Sequence, residues 1–239
     1  MTNDKDLGAR AKALLGGKAS PELEPVISAE PITLHDIILY DARGKPAHTY
    51  KKVILAGELV RTAGRYYNTQ DGWITYFADK IEKLISLPLL YAVLERLVDE
   101  KNPALAGLTK SMKCSWLCTS TRINYDSENI THNYGTAAAD TFHCTIPEIS
   151  YYLEDLKKKE HAKRNALQAL LMPQDVDKVD DIFKQVWWGV SPYFWTPEIV
   201  ERREFPERPV FINPSKYRLI INCYDGILNS GCALSVVVE

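Results

Sequence analysis

Apolar residues fall into segments of two periods along this chain. Thr33–Tyr40 reads as a strand, closed by the turn text Asp41-Ala-Arg-Gly44-Lys-Pro46. Thr49 fits the cap of a helix reaching about Ala63, with Tyr50, Val53, Ile54 and Val60 on one face; a strand at Tyr50–Leu55 is the competing reading. Trp73, Phe77, Ile81, Leu84 and Ile85 repeat at helical spacing after a turn at Gln70-Asp-Gly72. Ser86 then caps a second helix, with Pro88 in its first turn and a stripe of Leu89, Leu90, Val93, Leu94, Leu97 and Val98. Lys101-Asn-Pro103 ends that helix.

From Lys113 the period changes to two. Segments 113–125, 130–134 and 141–146 are rich in Thr, aromatic and β-branched residues and read as strands, with a turn at Asp126–Asn129. Thr145-x-x-Glu148 has the form of a capping box, which predicts a long helix stopping before Pro173. Val176, Val179, Ile182, Phe183, Val186 and Trp187 predict another helix, closed by Gly189. Ser191–Pro209 is an aromatic- and Pro-rich connection, and 210–212, 216–224 and 232–238 read as closing strands, the last two separated by Asp225-Gly226. The strands cluster instead of alternating with helices. The expectation is an α+β domain over residues 32–239, with a mostly antiparallel sheet of about six or seven strands and about five helices. Residues 1–31 read as a flexible tail, because Gly16-Gly17 stops a short helix at Leu7–Leu15 and Pro21, Pro25 and Pro31 follow.

Composition narrows the class. Apolar residues make up 46% and charged residues 25%, the balance of a soluble globular domain. A net charge of −2 supplies no global pull towards nucleic acid or acidic membranes. No run of about 20 apolar residues is present to span a bilayer, and no apolar stretch follows the polar N-terminus as in a secretory signal. Five widely spaced cysteines, at 114, 118, 144, 223 and 232, fit free thiols in a reducing, cytoplasmic setting.

Three constellations carry candidate chemistry. Cys114, Cys118, His132, His143 and Cys144 are all metal-ligand types, but Cys114 and Cys118 on one strand stand about 13 Å apart, too far for one zinc. Neither a metal nor another cofactor is expected. His143-Cys144-Thr145 resembles half of the paired His-x-Thr pattern of two-histidine phosphoesterases, which implies a general acid and base on adjacent strands; His35, His48 and His132 lack the hydroxyl residue that a second copy needs. On a strand with Phe142, Cys144 and Ile146 facing the core, His143 would point away with Thr141 and Thr145. Lys157, Lys158, Lys159, Lys163 and Arg164 form the one basic run, in the middle of the predicted long helix, and suit phosphate backbone or acidic lipid as well as an ordinary solvated face. Trp187, Trp188, Tyr193, Phe194 and Trp195 put five large aromatics in nine residues; Trp187 fits the core, while Trp188, Tyr193, Phe194 and Trp195 suit an interface.

No nucleophile elbow, zinc-protease helix or dinucleotide fingerprint occurs. The expectation is therefore a non-enzymatic structural or interaction protein, for instance a viral or mobile-element matrix- or coat-like protein or an adaptor, associating with itself or another protein through the aromatic connection. The alternatives are a phosphoesterase- or nuclease-type enzyme built on His132 and His143, with Thr145, and a nucleic-acid accessory protein using 157–164.

Overall fold

The computed structural model describes residues 30–239 except 42, 61–67, 113–115, 134–138, 148–149, 157, 188, 197–205, 215–218 and 223–230. The proposed tail therefore lies almost wholly outside the described residues, as do Cys114, Cys223, Glu148 and Asp225-Gly226. Among the described residues the fold is α+β, with five α-helices and twelve strands in two mostly antiparallel sheets.

The smaller sheet has the order β1 (Ile32–Tyr40), β2 (Pro46–Leu55), β12 (Ser235–Val238), β3 (Lys83–Leu84). The larger runs β6 (Asp140–His143), β5 (Asn129–His132), β4 (Leu117–Asn124), β9 (Glu207–Pro214), β10 (Leu219–Asn222), β8 (Pro192–Phe194), β7 (Tyr151–Tyr152). β11 (Cys232–Ala233) lies parallel to β4, and only Leu234 separates it from β12, so the chain's last strands pass from one sheet into the other. In that register Cys118 stands opposite Ala233 and Cys232 opposite Leu117, so the two thiols leave opposite faces and cannot form a disulfide.

Helix α2 (Leu87–Asp99) is the centre of the core. The Ser86 hydroxyl accepts from the Leu89 N–H at 3.4 Å, Pro88 needs no partner in the first turn, and nine residues from Leu87 to Leu97 are buried. A helix apolar on nearly every side must be enclosed. Here it packs against β1, β4, α3 (Ala104–Met112), α4 (His161–Leu171) and α5 (Val179–Val186).

Three segments depart from the sequence pattern. Thr49 begins no helix: β2 is a strand, because the Asp41 carboxylate accepts from the Arg43 and Lys45 N–H groups at 2.8 and 2.9 Å and Gly44 adopts φ +70°, closing a hairpin that pairs β1 with β2. The helix through Trp73, α1 (Gln70–Phe77), stops early. The Lys83 ammonium donates to the last-turn carbonyls of Phe77 and Ala78 at 3.2 and 3.3 Å, β3 then draws Leu84 into the sheet, and Ile81 is left 80% exposed. The long helix expected from Thr145 is replaced by β7, a 3-10 turn at Leu153–Asp155 and α4 from His161 onward. Cross-strand aromatic pairs decide this: Tyr151 stacks on Phe194 at 5.5 Å and Tyr152 meets Tyr193 at 4.7 Å. An additional helix, α3, follows Pro103, capped by the Asn102 side chain accepting from the Ala104 N–H at 3.0 Å.

Leu94 and Ile81 separate this packing from the sequence pattern, which places both on apolar stripes. Leu94→Ala should lower unfolding free energy by about 2–5 kcal/mol in denaturant titration, because its side chain is fully enclosed. Ile81→Ala should stay within about 0.5 kcal/mol, as expected of an exposed site. Equal losses at both would contradict the early end of α1.

Candidate ligand-binding site

His132 is built into the core. The Leu87 N–H donates to the Thr121 hydroxyl oxygen at 3.0 Å, the Thr121 hydroxyl donates to His132 Nδ1 at 2.9 Å, and His132 Nε2–H donates to the Ala169 carbonyl at 2.8 Å. A carbonyl only accepts, so the ring proton sits on Nε2. Burial pushes the His132 pKa down to about 4, which leaves the ring neutral.

The histidine pair proposed for phosphoester chemistry is not assembled. In the β5–β6 ladder His132 stands opposite Asp140 and His143 opposite Asn129, three residues along. Three steps is about 10 Å and an odd number, so the two rings lie on opposite faces of the sheet. Exposure follows that alternation: Thr141, His143 and Thr145 are exposed while Ile146 is buried.

A second histidine pairing joins the sheets. His48 Nε2 on β2 meets the Asp140 carboxylate at the start of β6, with the two side chains 30% and 35% exposed. Tyr50, two residues along β2, stacks on His48 at 6.4 Å, and burial followed by the Asp140 charge pushes its phenol up to about 12. Sequence reading missed this pair, since 92 positions separate its members and His48 falls at the edge of a supposed helix.

Beside it a cavity of about 520 Å³ opens between the end of β1, the chain from Phe142 to Thr145, and α4. Tyr40, Asp41, His143, Thr145, Asn165 and Gln168 supply its polar lining; Phe142, Ala162, Ala169 and Met172 supply apolar wall. The Gln168 amide nitrogen donates to the carbonyls of Tyr40, Asp41 and Pro173 at 3.4, 3.2 and 2.9 Å and so fixes the end of β1 to α4. The Gln168 amide oxygen, the His143 ring, the Thr145 hydroxyl, the Asn165 amide and the Tyr40 phenol have no hydrogen-bond partner among the described residues. Cys144 also lines the cavity, but burial and then the Glu128 charge push its thiol up to about 11, so it stays protonated near neutral pH. Of the sequence-derived residues, His143 and Thr145 thus reach one site, while His132 does not line it but meets two of its lining residues, the Ala169 carbonyl at 2.8 Å and the Phe142 ring at 5.6 Å. Among the described residues no group of three or more His, Cys, Asp or Glu side chains is placed to hold a metal ion.

The aromatic and basic candidates take different positions. Tyr193 and Phe194 belong to β8 and are engaged with Tyr152 and Tyr151, with Phe194 buried. The Trp195 N–H donates to the Ile221 carbonyl at 3.1 Å and its side chain is half-buried, Trp187 is core, and Trp188 lies outside the described residues. β8 thus adds Tyr193 and Phe194 to the larger sheet, with Phe194 buried and Tyr193 and Trp195 half-buried. The basic run is no helix middle. Lys158 and Lys159 are exposed in the turn before α4, Lys163 pairs with Glu160 at 2.6 Å, Arg164 pairs with Asp177 at 2.6 Å, and Lys157 lies outside the described residues. Two of the five cations are thereby spent within the protein. No helix among the described residues is long and apolar enough to cross a membrane.

Compared with known protein families, with curated proteins and with solved structures, the chain matches none.

His132 makes stability depend on pH. In the unfolded chain an imidazole takes its proton near pH 6.5, whereas folded His132 resists until about pH 4. Below pH 6.5 the unfolded state therefore binds the extra proton, and stability falls with falling pH, by up to about 1.4 kcal/mol per unit, until pH 4. His132→Gln keeps polar groups there but cannot titrate. Thermal unfolding between pH 7 and 4.5 should show a shallower decline for the variant than for the wild type; identical slopes would contradict a buried neutral His132.

Proposed function

We propose that this protein is a binding protein that takes a small polar ligand in the cavity between β6 and α4. The observation that carries this reading is the convergence on one concavity with an apolar floor of five hydrogen-bonding groups that have no partner among the described residues: the Tyr40 phenol, the His143 ring, the Thr145 hydroxyl, the Asn165 amide and the Gln168 amide oxygen. A few placed polar groups over apolar wall, at a volume of about 300–1,000 Å³, is the usual form of a small-molecule site. The chemistry of the lining favours binding over turnover. The one thiol is held protonated, and the buried imidazole beneath the floor has both nitrogens committed. What remains can donate and accept hydrogen bonds and stack on Phe142, which suits a ligand with polar edges and a flat apolar face.

A fragment library screened by protein NMR on the full chain tests the reading. Hits should perturb the resonances of His143, Thr145 and Asn165 together. Ala162→Phe, an exposed helix position on the cavity wall, should fill the space, abolish those perturbations and leave the melting temperature within a few degrees. Perturbations clustered elsewhere, or hits that survive Ala162→Phe unchanged, would overturn the assignment.

A further inference from the structure

Phe142, His143, Cys144 and Thr145 all line the cavity, although they are consecutive. Neighbouring residues of an extended chain point to opposite faces, and exposure alternates here too: His143 and Thr145 are exposed, Phe142 and Cys144 half-buried. A lining that takes every residue in turn therefore lies along the edge of the strand and not over one of its faces. That edge is open. β6 is the outermost strand of the larger sheet, and its ladder runs to β5 alone.

The backbone bonds fix which groups that edge presents. The Cys144 N–H donates to the Glu128 carbonyl at 2.9 Å, and the β5–β6 register places these two residues opposite each other. Antiparallel pairs alternate between bonded and unbonded, so Asp140, Phe142 and Cys144 turn their backbone groups to β5, while Thr141 and His143 turn theirs outward. The outward N–H and C=O groups of Thr141 and His143 have no partner among the described residues. From the other wall, α4 presents the Asn165 amide and the Gln168 amide oxygen, three positions apart on one side of the helix. The Gln168 amide nitrogen is committed to three carbonyls, so this side chain can only accept. Ala162, Ala169 and Met172 supply apolar surface to the same space.

We infer that the ligand of this cavity is an extended peptide segment of a partner chain, which adds to the free edge of β6 as a further strand and turns one side chain onto the apolar wall. The inference rests on the reading that the cavity binds a ligand, and it names the class of that ligand. A strand carries N–H and C=O groups along both edges, one set to pair with Thr141 and His143 and the other to meet Asn165 and Gln168. A compact ring or a phosphorylated metabolite lacks that two-sided repeat, and no Lys or Arg is among the described lining residues to pair with a phosphate. The two outward residues stand about 7 Å apart along β6, which asks for a segment of about three to five residues. The main chain supplies the affinity, and the space for one side chain supplies the selection.

NMR of the full chain with an array of capped five-residue peptides tests the inference. Each peptide has threonine at every position but the central one, which takes each natural side chain in turn. Without peptide the Thr141 and His143 amides should exchange rapidly. With millimolar peptide both should shift and slow by about tenfold or more, Asn165 should shift with them, and apolar central residues should bind best. Peptides N-methylated at alternate amides are tried for each edge in turn. Methylation of the edge facing β6 should lower affinity by about tenfold, the worth of one or two hydrogen bonds. His143→Pro leaves the β5 ladder intact, because proline is tolerated where the N–H of an edge strand faces outward, but it removes a donor and should weaken binding well beyond His143→Ala. Amide spectra show whether the proline variant folds, and if it does not, the methylated peptides decide. Methylated peptides that all bind as tightly as their parents, or fragments that bind in the cavity while no peptide does, would overturn the added strand and leave the binding reading standing. A cavity that takes neither fragment nor peptide would remove both. Slow exchange at Thr141 and His143 before any peptide is added would show the edge covered by the protein itself or by a second copy, and would also overturn the inference.

Discussion

A single threonine hydroxyl holds four elements in register. Thr121 on β4 accepts from the first backbone N–H of α2 and donates to His132 on β5, whose other nitrogen donates to Ala169 on α4. All three links lie away from water. A buried donor or acceptor left unpaired costs about 1–3 kcal/mol, so losing this one hydroxyl would strand the Leu87 amide and one side of the imidazole together. The relay also sets where α4 lies relative to β5 and β6. The cavity is the space left between those elements, so its dimensions descend from a hydrogen-bonded chain buried beneath it.

The relay is available because β4 breaks its ladder in the middle of the core. Between Cys118 and Arg122 the strand advances four residues while β9 advances two, from Phe211 to Pro209. The three polar residues between, Thr119, Ser120 and Thr121, are buried yet engaged. Thr119 donates to the Val210 carbonyl at 2.8 Å, the Ser120 N–H donates to the Ile85 carbonyl at 2.9 Å, and the Gln70 amide nitrogen donates to the Thr119 and Thr121 carbonyls at 2.5 and 2.9 Å. The three carbonyls of 119–121 are met by Gln70 and by the Asn133 N–H, and the Ser120 and Thr121 N–H groups by the Ile85 carbonyl and the Thr119 hydroxyl, which is how a polar tripeptide survives in an apolar interior. The slip frees Thr121 to turn towards α2 and His132 instead of continuing the β9 pairing.

Elements whose signals are local were legible in the sequence. Ser86 with Pro88, the turn between β4 and β5, and the apolar face of α5 each depend on residues within a few positions, and each forms where those residues place it. The outward position of His143 and Thr145 follows from strand alternation and was legible for the same reason. What failed depended on distant partners. β2 reads as helix until β1 is paired with it, and Tyr151-Tyr152 reads as helix until Tyr193-Phe194 is placed beside it. The cavity assembles residues near 40, 143 and 165, and the His48–Asp140 pair joins strands 92 positions apart; no short window along the chain contains either. His132 and His143 looked equivalent as sequence, yet one step of strand parity made one a core group and the other a cavity group.

Rigidity is unevenly distributed around the site, and this follows from topology. The α4 wall is anchored by Ala169 to His132 and by Gln168 to three carbonyls at the end of β1 and at Pro173, so it is continuous with the core. Among the described residues the β6 wall has one ladder, a Thr131–Thr141 hydroxyl bond at 3.2 Å, the Phe142 ring against His132, a backbone bond from the Cys144 N–H to the Glu128 carbonyl at 2.9 Å, and the His48–Asp140 pair. A site with one fixed wall and one lightly held wall can admit a ligand without disturbing the core, because opening costs only the bonds of an edge strand. The same asymmetry places the polar side chains to advantage. Asn165 and Gln168 stand on the fixed wall and His143 and Thr145 on the lighter one, so the ligand proposed above, if it bridged both, would add hydrogen bonds between the two walls.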